Sequence, residues 1–76
     1  MFEELRKSII EGDVDGAVSG LRALLEQKAD AVSVVNEALI SSMNTVADLW
    51  KDGEYFMSDV ILSANAFSKC MELITP

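Results

Sequence analysis

The stretch DVDGAVSGLRALLE, residues 13–26, carries the clearest folding signal in the chain. Its apolar side chains recur every three or four positions, at Val14, Ala17, Val18, Leu21, Leu24 and Leu25. An α-helix has 3.6 residues per turn, so this spacing places them on one face and leaves polar residues on the other. Asp13 directly precedes the stripe and is a favourable N-cap residue. We therefore predict an amphipathic helix that begins after Asp13.

A shorter helix is predicted before this one. It runs from about Phe2 to Glu11, with Phe2, Leu5 and Ile9 on one face. Gly12 ends it, because glycine tolerates the left-handed conformation that closes a helix.

The longest helix is predicted from its N-cap, Asp30, to about Lys51. The pair Asp52 and Gly53 ends it, by the same property of glycine. Its inward-facing residues are expected to be Val34, Val35, Ala38, Leu39, Val46 and Leu49.

A fourth helix is predicted after a short connection. Ser58 is its expected N-cap, and Asp59 lies in the first turn, where a negative charge is favourable. The expected inward-facing residues of this helix are Ile61, Ala64, Phe67, Met71 and Ile74.

Four amphipathic segments, short connections and no strand-like alternation predict an all-α protein, a small four-helix bundle. A chain of 76 residues is long enough for a single domain only.

The charge balance argues against two classes of partner. The chain has 13 acidic and six basic residues, a net charge of −7, and the basic residues are scattered. Nucleic acids and anionic membranes both require clustered Lys and Arg, so neither is an expected partner. No segment has the length of a membrane span.

The residue inventory also limits the chemistry. The chain has no histidine and a single cysteine, Cys70. A histidine general base, a histidine-ligated zinc and an internal disulfide are therefore impossible. We expect Cys70 to be a small buried hydrophobe, the location to be cytoplasmic, and the chain not to be catalytic alone.

Large apolar residues gather where the third helix meets the fourth. Trp50 stands at a helix end, and Phe56 and Met57 stand in the connection, where polar residues are usual. One interpretation is that they plug the end of the core of this bundle. The other is that they form an exposed apolar platform for a flat ligand or a partner helix.

This stretch resembles the N-terminal helical domain of cobalamin-binding methyl-transfer proteins, which include cobalamin-dependent methionine synthase and the corrinoid proteins of methanol and methylamine metabolism. Ser42, Ala47 and Ser58 stand where the family has two glycines and a proline. The residues that carry the resemblance are Ser42-Met43, Val46-Ala47, Trp50, Gly53, Tyr55-Phe56-Met57-Ser58, Val60-Ile61 and Ser63-Ala64.

The resemblance implies a cap. In the family, the helical domain covers the upper face of the corrin ring, and a following α/β domain carries an Asp-x-His-x-x-Gly motif whose histidine ligates cobalt. Residues 1–76 would then be a helical cobalamin-cap domain, the N-terminal part of a longer corrinoid protein whose α/β domain is absent here. The implied partners are that domain and methyltransferase proteins.

Four residues match family positions that face the corrin, namely Trp50, Phe56, Met57 and Val60. Their implied role is apolar shielding of the cofactor from water and oxidants, while the chemistry belongs to the cofactor. The alternative function is a helical interaction or self-association module that uses the same platform. An Asp-x-His-x-x-Gly motif downstream would decide for the cap.

Overall fold

The computed structural model describes residues 2–74, and this part of the chain folds into four helices. Helix α1 spans Glu3–Ile10, helix α2 spans Val14–Glu26, and the last helix, α4, spans Met57–Ile74. Together with the helix described next, they form the small all-α bundle that the sequence predicts.

Helix α3 is one continuous run over residues 31–51 that changes its winding. An α-helical stretch, Ala31–Val34, leads into a π-helical stretch, Val35–Ile40, and then into a second α-helical stretch, Ser41–Lys51. The wider π turn was not predicted, because apolar spacing over a few residues does not separate 3.6 residues per turn from a slightly larger number.

The predicted helix ends are largely confirmed. Gly12 and Gly53 follow α1 and α3 with φ angles of 74° and 81°, the left-handed conformation expected of them. The Asp13 carboxylate accepts a hydrogen bond of 3.0 Å from the backbone N–H of Gly16, as an N-cap does. Asp30 also stands at an N-cap position, but its carboxylate accepts from the Ser33 hydroxyl at 3.0 Å instead of from the backbone.

The prediction that Ser58 caps the fourth helix is wrong. Helix α4 begins one residue earlier, at Met57, so Ser58 lies in its first turn. The Asp59 carboxylate stabilises this start, because it accepts a hydrogen bond of 2.9 Å from the backbone N–H of Phe56. Asp59 therefore contributes to the helix start as predicted, and Ser58 is not its cap.

The core lies where the four helices meet. Helix α4 packs against α1, α2 and α3, and α1 packs against α2 and α3. The side chains of the core cluster are buried almost completely and come from every helix: Leu5, Ile9, Ala17, Leu21, Val34, Ala38, Leu39, Ala66 and Cys70. The expected burial of Cys70 is thus confirmed.

The inward face of α4 differs from the prediction. Ile61 was expected to face inward, but 52% of its surface is exposed, while Ser63, Ala66 and Cys70 are fully buried. Small side chains allow α4 to approach its neighbours closely, and the Ser63 hydroxyl donates to the carbonyl of Ile10 at 3.0 Å. A pattern that scores only large apolar residues does not detect such a face. The remaining predicted positions of α4 are only partly buried: Ala64, Phe67, Met71 and Ile74.

Within residues 2–74, none of the helices combines the length and the apolar composition that a bilayer span requires.

Candidate functional site

An apolar groove of about 320 Å³ runs between the second half of α3 and the first turn of α4. Six side chains line it: Met43, Val46, Ala47, Trp50, Met57 and Val60. The four from α3 are spaced by three, one and three residues, so they share one face of that helix. The two from α4 are three residues apart and share a face in the same way. The groove therefore follows from the register of two packed helices and needs no irregular loop.

Three of the four predicted site residues meet in this groove. Trp50, Met57 and Val60 line it, and 46% of the Trp50 surface and 57% of the Met57 surface are exposed. Phe56 does not line the groove and is 72% exposed. Side chains this exposed do not plug the end of the core, so the structure favours the platform interpretation over the plug.

The other three lining residues were not predicted as site residues. Val46 was expected in the core and is 1% exposed, so it forms the floor of the groove. Met43 and Ala47 are part of the motif that carries the family resemblance, and they lie on the same helix face as Trp50. The spacing of residues 43, 46, 47 and 50 was the available signal, because it places all four on one side of a helix.

Hydrogen bonds hold the connection 52–56 to both α3 and α1. The backbone N–H groups of Glu54 and Tyr55 donate to the carbonyl of Leu49 at 2.9 and 3.1 Å, which ties the connection to the end of α3. The Tyr55 hydroxyl donates to the carbonyl of Ile10, the last residue of α1, at 2.6 Å. These bonds hold the connection that leads from Trp50 to Phe56 and Met57.

The surroundings of Tyr55 disfavour its ionisation. Burial of the phenol raises the pKa of Tyr55 above its ordinary value, and the negative charges of Asp59 and Glu11 raise it further. At neutral pH the hydroxyl is therefore a hydrogen-bond donor and remains bonded to Ile10.

The groove is lined without ionisable groups. None of its six lining side chains titrates at neutral pH, and none carries a hydroxyl, thiol, amine or carboxylate group. Across residues 2–74, no group of three or more His, Cys, Asp or Glu side chains is arranged to hold a metal ion. What this surface offers a ligand is apolar contact and exclusion of water.

A second hollow, of about 300 Å³, lies between α1 and α2. Glu3, Glu4 and Gln27 form part of its wall, so it lacks the uniformly apolar lining of the groove. Of the two, the groove is the better surface for a flat apolar ligand.

Comparisons with known proteins agree with the resemblance seen in the sequence. The chain is 30% identical to a corrinoid protein of Desulfitobacterium hafniense (strain Y51), in an alignment that covers 100% of the chain and 35% of the relative. It is 34% identical over 68 residues to the methanol–corrinoid protein of Methanosarcina barkeri (strain Fusaro / DSM 804), covering 90% of the chain and 26% of that protein. The chain thus spans about a third or less of the length of these relatives.

A solved structure has the same fold. In the crystal structure of the methanol:cobalamin methyltransferase complex from Methanosarcina barkeri, one chain superposes with a TM-score of 0.88 and 32% sequence identity. The match covers 96% of the present chain and 28% of the other. The sequence profile of the B12 binding domain matches residues 1–75. Because that match takes in nearly the whole chain, the protein belongs to the B12 binding domain family.

Proposed function

We propose that this domain is a helical cap that covers the upper face of a cobalamin in a corrinoid methyl-carrier protein. Family membership makes cobalamin the expected cofactor. The observation that supports the proposal most directly is the apolar groove, since an uncharged surface with an exposed indole and thioether suits the face of a flat macrocycle.

The groove fits one face of the cofactor only. Its volume of about 320 Å³ leaves most of a macrocycle outside, and no histidine is available to ligate cobalt from below. We therefore propose that a separate α/β domain holds the cofactor and that the present chain contributes the cover. In this arrangement the six lining residues contact the cofactor, with Phe56 at their edge.

The proposed work of the chain is to exclude water and oxidants. When bound, the cobalamin supplies a cobalt that carries a methyl group between partner proteins. Trp50, Met57 and Val60 would keep the space above it dry, because replacing water with apolar atoms protects a reactive centre without adding a reacting group. Trp50 and Met57 are 46% and 57% exposed, so moving the cap away from the cofactor would not require their removal from the core.

The proposed partners are the α/β domain and methyltransferase proteins. The matching crystal structure supports the second of these, since it is of a methanol:cobalamin methyltransferase complex. The cytoplasmic location stays a prediction. The alternative, a protein-interaction or self-association module, is not favoured, because the matching family is one of B12 binding domains.

A chimera tests the proposal. Residues 1–76 replace the segment of the Desulfitobacterium corrinoid protein with which they align, and the chimera is loaded with cobalamin, reduced, and exposed to air. We expect the cofactor to be oxidised about as slowly as in the intact relative, and much faster when the helical segment is deleted. Oxidation in the chimera as fast as in the deletion variant would overturn the proposal.

A charged side chain in the groove gives a sharper comparison. Met57→Lys introduces a hydrated ammonium group at an exposed lining position, and we expect it to accelerate oxidation. Val32→Lys is the matched control, since Val32 is similarly exposed at 65% but lies outside the groove. Equal oxidation rates in the two variants would remove the groove from the proposed site.

A further inference from the structure

We infer that Tyr55 is a positioning residue: its hydroxyl, bonded to the carbonyl of Ile10, fixes the connection 52–56 so that Phe56 stays beside the groove and Met57 stays in its lining. The importance of Tyr55 for the cofactor rests on the proposed function. The hydrogen bonds of Tyr55 are independent of that proposal.

The argument begins with how little else holds these two side chains. Phe56 and Met57 are among the most exposed large apolar residues of the described chain. The contacts of these two side chains contribute little to holding them in position, because packing energy scales with buried area and more than half of their area is exposed. Their position therefore depends on the backbone that carries them.

Tyr55 attaches that backbone to a different helix. Its N–H donates to the carbonyl of Leu49 in α3, and its hydroxyl reaches the carbonyl of Ile10 at the end of α1. The last carbonyls of a helix lack a donor within the helix, so Ile10 is free to accept from outside. A single residue thus links the connection to two helices.

Tyr55 is followed directly by Phe56, which is hydrogen-bonded to the first turn of α4. The carbonyl of Phe56 accepts hydrogen bonds from the N–H groups of Asp59 and Val60 at 3.0 and 3.2 Å, and its own N–H donates to the Asp59 carboxylate. Phe56 is therefore held against the first turn of α4, and Tyr55 precedes it without any flexible residue between them. A shift of Tyr55 would therefore act directly on Phe56, and on Met57 through the first turn of α4.

Ser63 provides a matched comparison within the same hydrogen-bond group. Its hydroxyl donates to the same Ile10 carbonyl, at 3.0 Å, but from a buried position inside α4. Tyr55→Phe and Ser63→Ala each remove one hydroxyl donor from one acceptor. Only Tyr55→Phe releases the connection.

The first test uses amide hydrogen exchange in the 76-residue chain and needs no cofactor. We expect Tyr55→Phe to accelerate exchange at the amides of Glu54, Tyr55 and Phe56 by about fivefold, the effect of one lost hydrogen bond on a local opening. Ser63→Ala should leave these three amides unchanged once its effect on global unfolding is subtracted. Equal acceleration in both variants would overturn the inference.

The second test uses the cobalamin-loaded chimera in air. Tyr55→Phe should accelerate cofactor oxidation more than Ser63→Ala does. If Met57→Lys accelerates oxidation but Tyr55→Phe and Ser63→Ala give equal rates, the positioning role is wrong while the proposed function stands. If the unaltered chimera is oxidised as fast as the deletion variant, the proposed function fails, and the amide measurement alone decides the role of Tyr55.

Discussion

Gly12 lies so close to Leu62 that a β-carbon added at Gly12 would be 2.6 Å from the β-carbon of Leu62. Neither of these atoms can be moved aside by rotating a side chain, because a β-carbon is fixed by its own backbone. The turn between α1 and α2 therefore packs against α4 at a distance that only glycine allows. The Ile10 carbonyl that accepts from Tyr55 and Ser63 lies at the end of α1, shortly before this turn.

This contact predicts a large effect for Gly12→Ala. The left-handed φ of 74° costs an alanine about 1–2 kcal/mol, and the overlap with Leu62 adds about 1–3 kcal/mol of overpacking. Urea denaturation followed by circular dichroism measures the loss. Gly53→Ala is the control, since Gly53 has a similar φ of 81° and no atom within 4 Å of the added carbon. Gly53→Ala should lose only the free energy that the left-handed backbone conformation costs. Equal losses of unfolding free energy in the two variants would show that the contact with Leu62 does not affect stability.

The stability of the chain should decline at alkaline pH, because two groups have raised pKa values. Burial raises the pKa of the Cys70 thiol above about 9, and the pKa of the Tyr55 phenol is raised above about 10, mainly by burial. The folded chain then binds these protons more tightly than the unfolded chain does. The contribution of these two protonated groups to stability is therefore complete below their ordinary pKa values of about 9 and 10, and it is lost as the pH rises through the raised pKa values of the folded chain.

Melting temperatures between pH 8 and pH 11 measure this decline. In Tyr55→Phe, the decrease above about pH 10 should become shallower, because the variant has no phenol to ionise. Cys70→Ala should instead lose the earlier part, which begins near pH 9. If the melting temperature of Tyr55→Phe falls above pH 10 as steeply as that of the unaltered chain, the pKa of Tyr55 is the same in the folded and the unfolded chain.

The sequence predicts the fold well where apolar side chains are large and regularly spaced. Leu5, Ile9 and Leu21 are buried as expected, and the glycines that end α1 and α3 were identified correctly. Helix α4 was harder, because it is apolar on most sides and buries small residues. Ser63 is fully buried there and Ile61 is exposed, although hydrophobicity alone would place isoleucine inside and serine outside.

The lining of the groove was predicted in part, for a related reason. Exposed apolar residues in and near a connection drew attention to Trp50, Phe56 and Met57. Met43 and Val46 were overlooked because they resemble ordinary core positions on a long helix. Whether such a residue lines a groove depends on how closely the neighbouring helix approaches, and that distance is set by contacts far apart in sequence.

The isolated chain should bind cobalamin weakly or not at all. One apolar groove of about 320 Å³ contacts a single face of the cofactor, and no histidine ligand is present. Calorimetric titration of the 76-residue chain with methylcobalamin measures the affinity. A submicromolar dissociation constant would contradict the division of labour between a cap and a separate cofactor-holding domain.

Trp50→Ala should affect the cofactor more than the fold. A fully buried aromatic residue would cost about 3–5 kcal/mol on truncation, whereas the half-exposed ring of Trp50 should cost about 1–2 kcal/mol. Leu21→Ala is the comparison for the core, where complete burial predicts a loss of about 2–5 kcal/mol. In the chimera, Trp50→Ala should accelerate air oxidation of the reduced cofactor, because the substitution removes apolar cover from the groove above the cofactor.

Phe56→Ala separates the two effects further. Phe56 is the most exposed of the predicted site residues, so its truncation should change stability by less than about 0.5 kcal/mol. A faster oxidation in Phe56→Ala with an unchanged melting temperature would extend the covered area beyond the six lining residues. If only Trp50→Ala accelerates oxidation, the cofactor contact ends at the groove, and Phe56 serves some other surface of the domain. If neither variant does so while Leu21→Ala still destabilises the fold as expected, the assignment of both residues to the cofactor is wrong.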